Sequence, residues 1–235
     1  ALVNELDAHL ASALDDAAVR CVVLTGNGPA FCAGADLKSP PGQVVDGRSG
    51  VTLADVLVRI QDAPKPVIAA VNGAAFAGGL GLVAASDIVV AVDDALFSFS
   101  EVRIGVIPAV ISVVCLPKLG IHQGMKLFLT GERFSGAQAV DLGLVHRAVP
   151  KAQLEVAVQA EIDMLRLGGP NALAECKRLV RRVPYLPRDE ALRLTSEWSV
   201  RTFRSAEAAE GMAAFREKRQ PAWVSGAPLA GNRDG

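Results

Sequence analysis

Three short segments of this chain combine small residues with polar groups in ways that can do chemistry. The first is Ala33-Gly34-Ala35-Asp36, which lies just after an apolar run, where open α/β layers place ligands. Its small residues let a ligand come close to the main chain. The second is Ala77-Gly78-Gly79, between another apolar run and the start of a helix. The N–H groups that open a helix have no intrahelical acceptor and stabilise developing negative charge. Two such turns facing each other would make an oxyanion hole. The third is Ser100-Glu101-Val102-Arg103, which sets a carboxylate between apolar segments ahead of Gly105 and Pro108.

Each segment also has a plainer reading. Glycine-rich turns commonly do no more than reverse the chain. Glu101 taken alone fits a solvated carboxylate paired with Arg103, because glutamate is seldom fully buried. The chain has no GxGxxG or GxxxxGK[ST] pattern for a dinucleotide or a P-loop, and no GxSxG nucleophile elbow. The residues alone therefore lead as far as an α/β enzyme with two backbone anion sites and one carboxylate.

These segments must be held by the elements around them. Leu2, Leu6, Leu10, Ala13 and Leu14 share one face of a helix running to about residue 16. It starts without a capping residue, which suggests a segment in front of it. Cys21–Leu24 is wholly apolar and reads as a strand buried on both faces. Residues 39–50 are rich in Pro and Gly and read as a mobile loop. Leu53, Val56, Leu57 and Ile60 form a helical stripe stopped by Pro64 and Pro66. Val67–Val71 reads as a buried strand, Asn72-Gly73 as a turn, and Gly78–Ala85 as a small-residue helix in the core. Ile88–Ala91, Leu96–Ser98 and Val145–Val149 read as further strands, and Ser135–Leu142 as a short helix. The alternation is that of an α/β protein. Beyond Gly168-Gly169-Pro170, a strong helix stop, helices are expected near 171–183, 188–203 and 205–219. In the last, Glu207 and Glu210 come early and Arg216, Lys218 and Arg219 late, which suits the helix dipole. The chain thus divides near 168 into an α/β core, 1–168, and a helical region, 169–235.

With 235 residues, 51% hydrophobic and 21% charged, the chain has ample apolar surface for a core, which excludes disorder. A net charge of −1 provides no field for nucleic acid or an anionic membrane. Arg178, Arg181 and Arg182 form the one local basic cluster and read as a solvated helix face. Residues 66–86 carry no charge and are long enough to span a bilayer, but Asn72 and four glycines fit a strand, a turn and a buried helix better. The cysteines at 21, 32, 115 and 176 form no CxxC, and His9, His122 and His146 are scattered. No metal site or disulfide framework is expected, and a reducing cytoplasm is the default compartment.

The ordered set of motifs resembles the crotonase (enoyl-CoA hydratase/isomerase) family. The matching pieces are VVLTGNGPAFCAGADLK at 22–38, PKPVIAAVNGAAFAGGLGLVAASDI at 64–88, FSFSEVRIGVIP at 97–108, TGERFSGAQAVDLGLVHRAVP at 130–150 and FREKRQP at 215–221. The resemblance implies a spiral of β-β-α turns with a helical C-terminal region that mediates homotrimers or dimers of trimers. It implies an acyl-CoA thioester substrate that brings its own CoA, with no separate cofactor. It makes the N–H groups of Ala35 and Gly78 the donors to the thioester oxygen. It places Ala33, Asp36 and Leu37 at the adenine and Lys38 at the CoA phosphates, with Phe215 and Lys218 reaching a neighbouring subunit's CoA. Asp36 and Asp87 could equally cap turns, and Asp87 reads as structural.

Departures from the family pattern bear on the chemistry. Hydratases with two carboxylates carry one Glu on the helix after the glycine-rich turn, where this chain has Gly81; the second matches Glu101. The usual glycine-rich stretch is replaced by Pro108-Ala109-Val110-Ile111-Ser112, which narrows or greases the acyl pocket. Ala109 stands where dienoyl-CoA isomerases have Asp, which argues against that activity. The family's opening β-hairpin is not matched. One carboxylate can add water to a 2-enoyl thioester if it handles both protons in turn, or it can shuttle one proton between C4 and C2 in a 3-enoyl to 2-enoyl isomerisation. Similarity to hydratases of branched acyl-CoAs in the GLGLV and SEVRIG segments favours hydration, with Glu101 as acid/base and its pKa raised by Val102, Ile104 and Val106. A non-catalytic acyl-CoA-binding homologue is the competing class.

Overall fold

The structure is a computed structural model and describes residues 2–34 and 50–225. Its contacts divide the chain into two compact units, one of Ala1–Ala63 with Val67–Ala160 and the other of Pro64–Pro66 with Glu161–Gly235.

The first unit opens with helix α1 (Leu2–Asp15), followed by strands β1 (Val22–Thr25) and β2 (Ala30–Cys32). Helix α2 (Leu53–Asp62) starts with a capping box: Thr52 accepts from the Asp55 N–H, and the Asp55 carboxylate accepts from the Thr52 N–H. Val56, Leu57 and Ile60 are the buried face of α2, as their spacing predicts. Asp7 on α1 pairs with Arg59 on α2 through both Nε and Nη2. Then come β3 (Val67–Val71), β4 (Ala74–Phe76), α3 (Gly78–Ala85), β5 (Ile88–Val92) and β6 (Leu96–Ser98). A 3-10 turn at Ser100–Ile104 leads to α4 (Ala109–Thr130), which is kinked at Gly120. The unit continues with β7 (Phe134–Ser135), α5 (Gly136–Asp141) and β8 (Arg147–Val149).

The strands form two sheets. One has the order β1-β3-β5-β8, all parallel; the other is β2-β4-β6-β7, with only β7 antiparallel. Each of the first three coils therefore lays one strand in the first sheet, turns a corner, lays one in the second and returns through a helix, which is the expected spiral of β-β-α turns. At one corner the Asn72 side chain accepts from the Gly26 N–H at 3.0 Å and donates to the Gly28 carbonyl at 2.9 Å, clasping two successive coils. The core lies among β3, β5, α2, α3 and the start of α4.

One expectation needs correction. The strand expected at Cys21–Leu24 to be buried on both faces is an edge strand whose residues alternate between partly buried and exposed, because β1 ends its sheet and has a neighbour only in β3. The three-residue strands β2 and β4 fall at positions to which the sequence reading assigns no element. Their Ala and Cys residues have little strand preference, and pairing with neighbours makes them strands. The uncharged stretch 66–86 resolves into β3, a turn, β4 and the whole of α3. Among the described residues, no helix is long and apolar enough to cross a membrane.

Helix α6 (Leu154–Leu167) leads into the second unit, which holds α7 (Pro170–Arg182), α8 (Arg188–Phe203), α9 (Ala206–Glu217) and α10 (Ala222–Ser225). Glu207 sits in the first turn of α9, but its carboxylate is buried. It accepts from the N–H groups of Asn171 at 3.0 Å and Ala172 at 2.7 Å, so it caps α7 from a distance.

Candidate active site

The three chemical segments follow three adjacent parallel strands. Ala33-Gly34 follows β2, Ala77-Gly78 follows β4, and Glu101 follows β6, so all emerge at the same end of one sheet. The pairing of Phe76 with Ser98 and the hydrogen bond from the Ala77 N–H to the Ser98 carbonyl at 3.1 Å hold the second and third segments in register.

Close approach of backbones joins the first two. Gly34 has φ +97°, and a Cβ built on it would stand 3.3 Å from the Ala77 Cβ. A Cβ on Gly79 would stand 2.5 Å from the Cys32 carbonyl oxygen, so only glycine lets the start of α3 press against the end of β2. Ala77 itself has φ 48° and ψ −119°, a left-handed conformation that costs a non-glycine residue energy. It turns the chain so that Gly78 opens α3 with no intrahelical acceptor for its N–H. Ala33 is exposed just past β2. Ala35, Asp36, Leu37 and Lys38 lie outside the described residues, as do residues 39–49 of the loop expected at 39–50. Phe215 and Lys218 lie in the second unit. Phe215 is exposed, and Lys218 ends α9 in a left-handed conformation with φ 54°.

Glu101 points inward. Its Oε2 is buried and has no hydrogen-bond partner. Burial raises its pKa, opposed in part by a hydrogen bond from its own backbone N–H. Val102, Ile104 and Val106, expected to supply the apolar wall, are instead 37%, 56% and 52% exposed. Helix α4 packs against the 3-10 turn that carries Glu101. Cys115 on α4 is fully buried, and its Sγ lies 3.8 Å from the Leu80 carbonyl oxygen. Burial pushes its thiol up to about 12, with Lys118 lowering it and the charge of Glu101 raising it further. Cys115 is thus a buried, neutral thiol rather than a nucleophile. Arg103 donates to the Thr130 carbonyl at 3.5 Å at the far end of α4, so the two sequence neighbours serve different places.

Sequence reasoning passed over the partner of Gly81. A Cβ built there would stand 2.5 Å from Ile111 Cγ2, 3.2 Å from Ile111 Cβ and 3.4 Å from Leu57 Cδ1. Ile111, in the first turn of α4, is 2% exposed and fills the space that any side chain at 81 would need. Ile111 is not confined to the general greasing of a pocket; it packs on one named glycine. A bulky residue facing a glycine in a neighbouring small-residue helix is the signal that could have paired them. Asp87 and His146 serve the frame: Asp87 Oδ2 accepts from the Val67 N–H, and His146 Nδ1 from the Val89 N–H.

The spiral of β-β-α turns thus brings two backbone turns and a half-buried carboxylate to one end of a sheet. Residues 1–226 match the enoyl-CoA hydratase/isomerase family model, and the chain belongs to that family. It is 36% identical over 213 residues to enoyl-CoA hydratase EchA19 of Mycobacterium tuberculosis, covering 88% of this chain and 80% of the relative. It is 34% identical over 216 residues to carnitinyl-CoA dehydratase of Proteus mirabilis, covering 89% and 83%. Among solved structures it superposes on AtuE of Pseudomonas aeruginosa with TM-score 0.86 and 34% identity, covering 95% of this chain and 89% of that one. For an enoyl-CoA hydratase of Mycobacterium smegmatis the values are 0.85, 32%, 95% and 88%.

Proposed function

We propose that this protein is an enoyl-CoA hydratase in which Glu101 is the single acid–base group. The observation that carries this reading is the Glu101 carboxylate, directed inward, raised in pKa by burial and with Oε2 unpartnered. The carboxylate takes a proton from water as the water oxygen bonds to C3. The electron pair of the C2=C3 bond moves through the thioester to its oxygen, forming an enolate. The same carboxyl then gives its proton to C2 as the thioester carbonyl returns. One C–O and one C–H bond form, the π bond is lost, and the carboxylate is regenerated.

The N–H groups of Gly78 and Ala35 would hold the thioester oxygen. The close approach of Gly34 to Ala77 supports that pairing, and one such donor is worth about 3 kcal/mol in the transition state. The CoA would arrive with the substrate, its adenine bordered by Ala33, Asp36 and Leu37 and its phosphates met by Lys38. Phe215 and Lys218 would serve the CoA of a neighbouring copy in a homotrimer or a dimer of trimers. Exposed apolar side chains at Ile107, Val110 and Val113 support self-association of the chain. A monomeric mass by analytical ultracentrifugation would overturn that part.

The lack of a carboxylate at Gly81 also suits 3-enoyl to 2-enoyl isomerisation, in which Glu101 carries one proton from C4 to C2. Ultraviolet absorbance of the conjugated thioester separates the readings. Loss of absorbance with crotonyl-CoA, abolished in Glu101→Gln, supports hydration. A gain from a 3-enoyl-CoA with none lost from crotonyl-CoA assigns isomerisation. Tight acyl-CoA binding without either change leaves a binding protein.

A further inference from the structure

We propose that Ser98 is a positioning residue that fixes the turn carrying Glu101 against the turn that presents the Gly78 N–H. The proposal rests on the acid–base reading of Glu101 above. It holds for hydration and isomerisation alike, because both pass a proton through that carboxylate. Ser98 ends β6, three residues before Glu101, and is 2% exposed. Its main chain serves the Ala77-Gly78 turn: it pairs with Phe76, and its carbonyl accepts from the Ala77 N–H at 3.1 Å. Its side chain serves another element. The Ser98 Oγ donates to the Gly131 carbonyl at 2.9 Å in a buried hydrogen bond. Strand β7 pairs with β6 at Leu96 and Phe97, so the hydroxyl takes over where that pairing stops.

Gly131 in turn lies against the residues around Glu101. It caps α4 with φ 57°, and a Cβ built on it would stand 3.1 Å from the Phe99 carbonyl oxygen, 3.1 Å from Arg103 Nε and 3.3 Å from Val102 Cγ1. Arg103 adds a second tie through Nη2, which donates to the Thr130 carbonyl at 3.5 Å. The span from 98 to 103, with Glu101 inside it, therefore hangs from two successive carbonyls at the end of α4. The Arg103 tie is exposed and the Ser98 tie is buried, where water does not replace a lost partner. One residue thus touches both halves of the site, and a misplacement of about 1 Å between such halves costs about 10²-fold in rate.

The test uses Ser98→Ala in the full chain, with Gly131→Ala as a second variant that keeps the hydroxyl but sets a methyl group against Phe99 and Arg103. In each, kcat for the reaction of the parent falls by about 10–100-fold. KM, and the Kd of butanoyl-CoA by calorimetry, stay within about two-fold, because main-chain pairing still holds β4 to β6. In a Glu101→Gln background, Ser98→Ala changes the residual rate by less than about two-fold, since its loss acts through the carboxylate. Amide exchange reads the tie without turnover. The Val106 N–H, which donates to the Glu101 carbonyl at 3.2 Å, exchanges about ten-fold faster or more in either variant. The Leu80 N–H, which donates to the Ala77 carbonyl at 2.9 Å, keeps the rate of the parent. The proposal is overturned by a kcat within two-fold of the parent's in the folded variants, or by a loss carried in KM. It is equally overturned by a full loss repeated in the Glu101→Gln background, or by equal exchange changes at Val106 and Leu80. If the parent turns over no thioester, the acid–base reading fails by itself, and the exchange contrast alone decides whether Ser98 holds the Glu101 turn.

Discussion

Asp87 and Val67 exchange hydrogen bonds in both directions. The Val67 N–H donates to Asp87 Oδ2 at 2.8 Å, and the Asp87 N–H donates to the Val67 carbonyl at 2.9 Å. The carboxylate thus satisfies the first N–H of a strand whose five residues are all buried. Asp87→Ala leaves that donor without a partner, which costs about 1–3 kcal/mol. Urea unfolding should show the loss, while the folded fraction keeps the parent's KM, since the residue belongs to the frame.

Glu101→Gln keeps the shape of the side chain and removes the proton carrier. Turnover should fall by about 10²–10⁴-fold, the usual worth of a positioned acid–base group. Hydration needs the carboxylate form first, so in the parent kcat/KM falls as pH drops through the pKa of Glu101. Because burial raises that pKa, the acid limb should lie above the ordinary 4.5. A limb at or below that value would contradict the assignment.

The same burial makes a statement about stability with the opposite partner state. A carboxyl whose pKa is higher in the folded protein binds protons more tightly there, so stability falls as pH rises from the unfolded value through the folded one. Glu101→Gln should therefore melt higher than the parent at neutral pH. The gap should close below pH 4.5, where both side chains are uncharged. Differential scanning fluorimetry across pH reads this directly.

Glu207 holds α7 by its first N–H groups, and a Cβ on Gly169 would stand 2.3 Å from Glu207 Oε1, so the carboxylate is tightly seated. Glu207→Ala unpairs two amides at a helix start and should destabilise the protein by about 1–3 kcal/mol. Helical circular dichroism during thermal unfolding gives the measurement. Glu207→Gln, which keeps acceptor capacity at one oxygen, should lose less.

Ala77 carries its left-handed φ of 48° without being glycine. Backbone strain of this kind costs on the order of 1–3 kcal/mol, and glycine gives back about 0.5–1 kcal/mol in chain entropy. Ala77→Gly should therefore be as stable as the parent or more so in urea, whereas Ala77→Val should be markedly less stable.

Much of this arrangement is legible in the residues. The stripe of α2, the uninterrupted apolar run of β3 and the proline and glycine stops announce themselves through period and chain-breaking chemistry. The two glycine turns and Glu101 stand out because small residues and a lone carboxylate interrupt apolar sequence. What stays hidden depends on partners distant in the chain. Strands β2 and β4 are too short and too rich in Ala to declare themselves, and exist because a neighbour pairs with them. Glu207 suits the start of its own helix so well that its service to α7 is invisible without coordinates. Ile111 and Gly81, thirty positions apart, reveal their fit only when α4 lies on α3.

The corner clasped by Asn72 has a consequence for how this chain can vary. A Cβ on Gly73 would stand 2.1 Å from the Pro29 carbonyl oxygen, and one on Gly26 would stand 2.0 Å from that of Ala30. The turns at 26–29 and 72–73 are therefore nested as well as hydrogen-bonded. An insertion or deletion in one would lift the other off its seat, so the two corners behave as a single unit of fixed length. Descendants of this sequence are free to lengthen or shorten only where successive coils do not interlock.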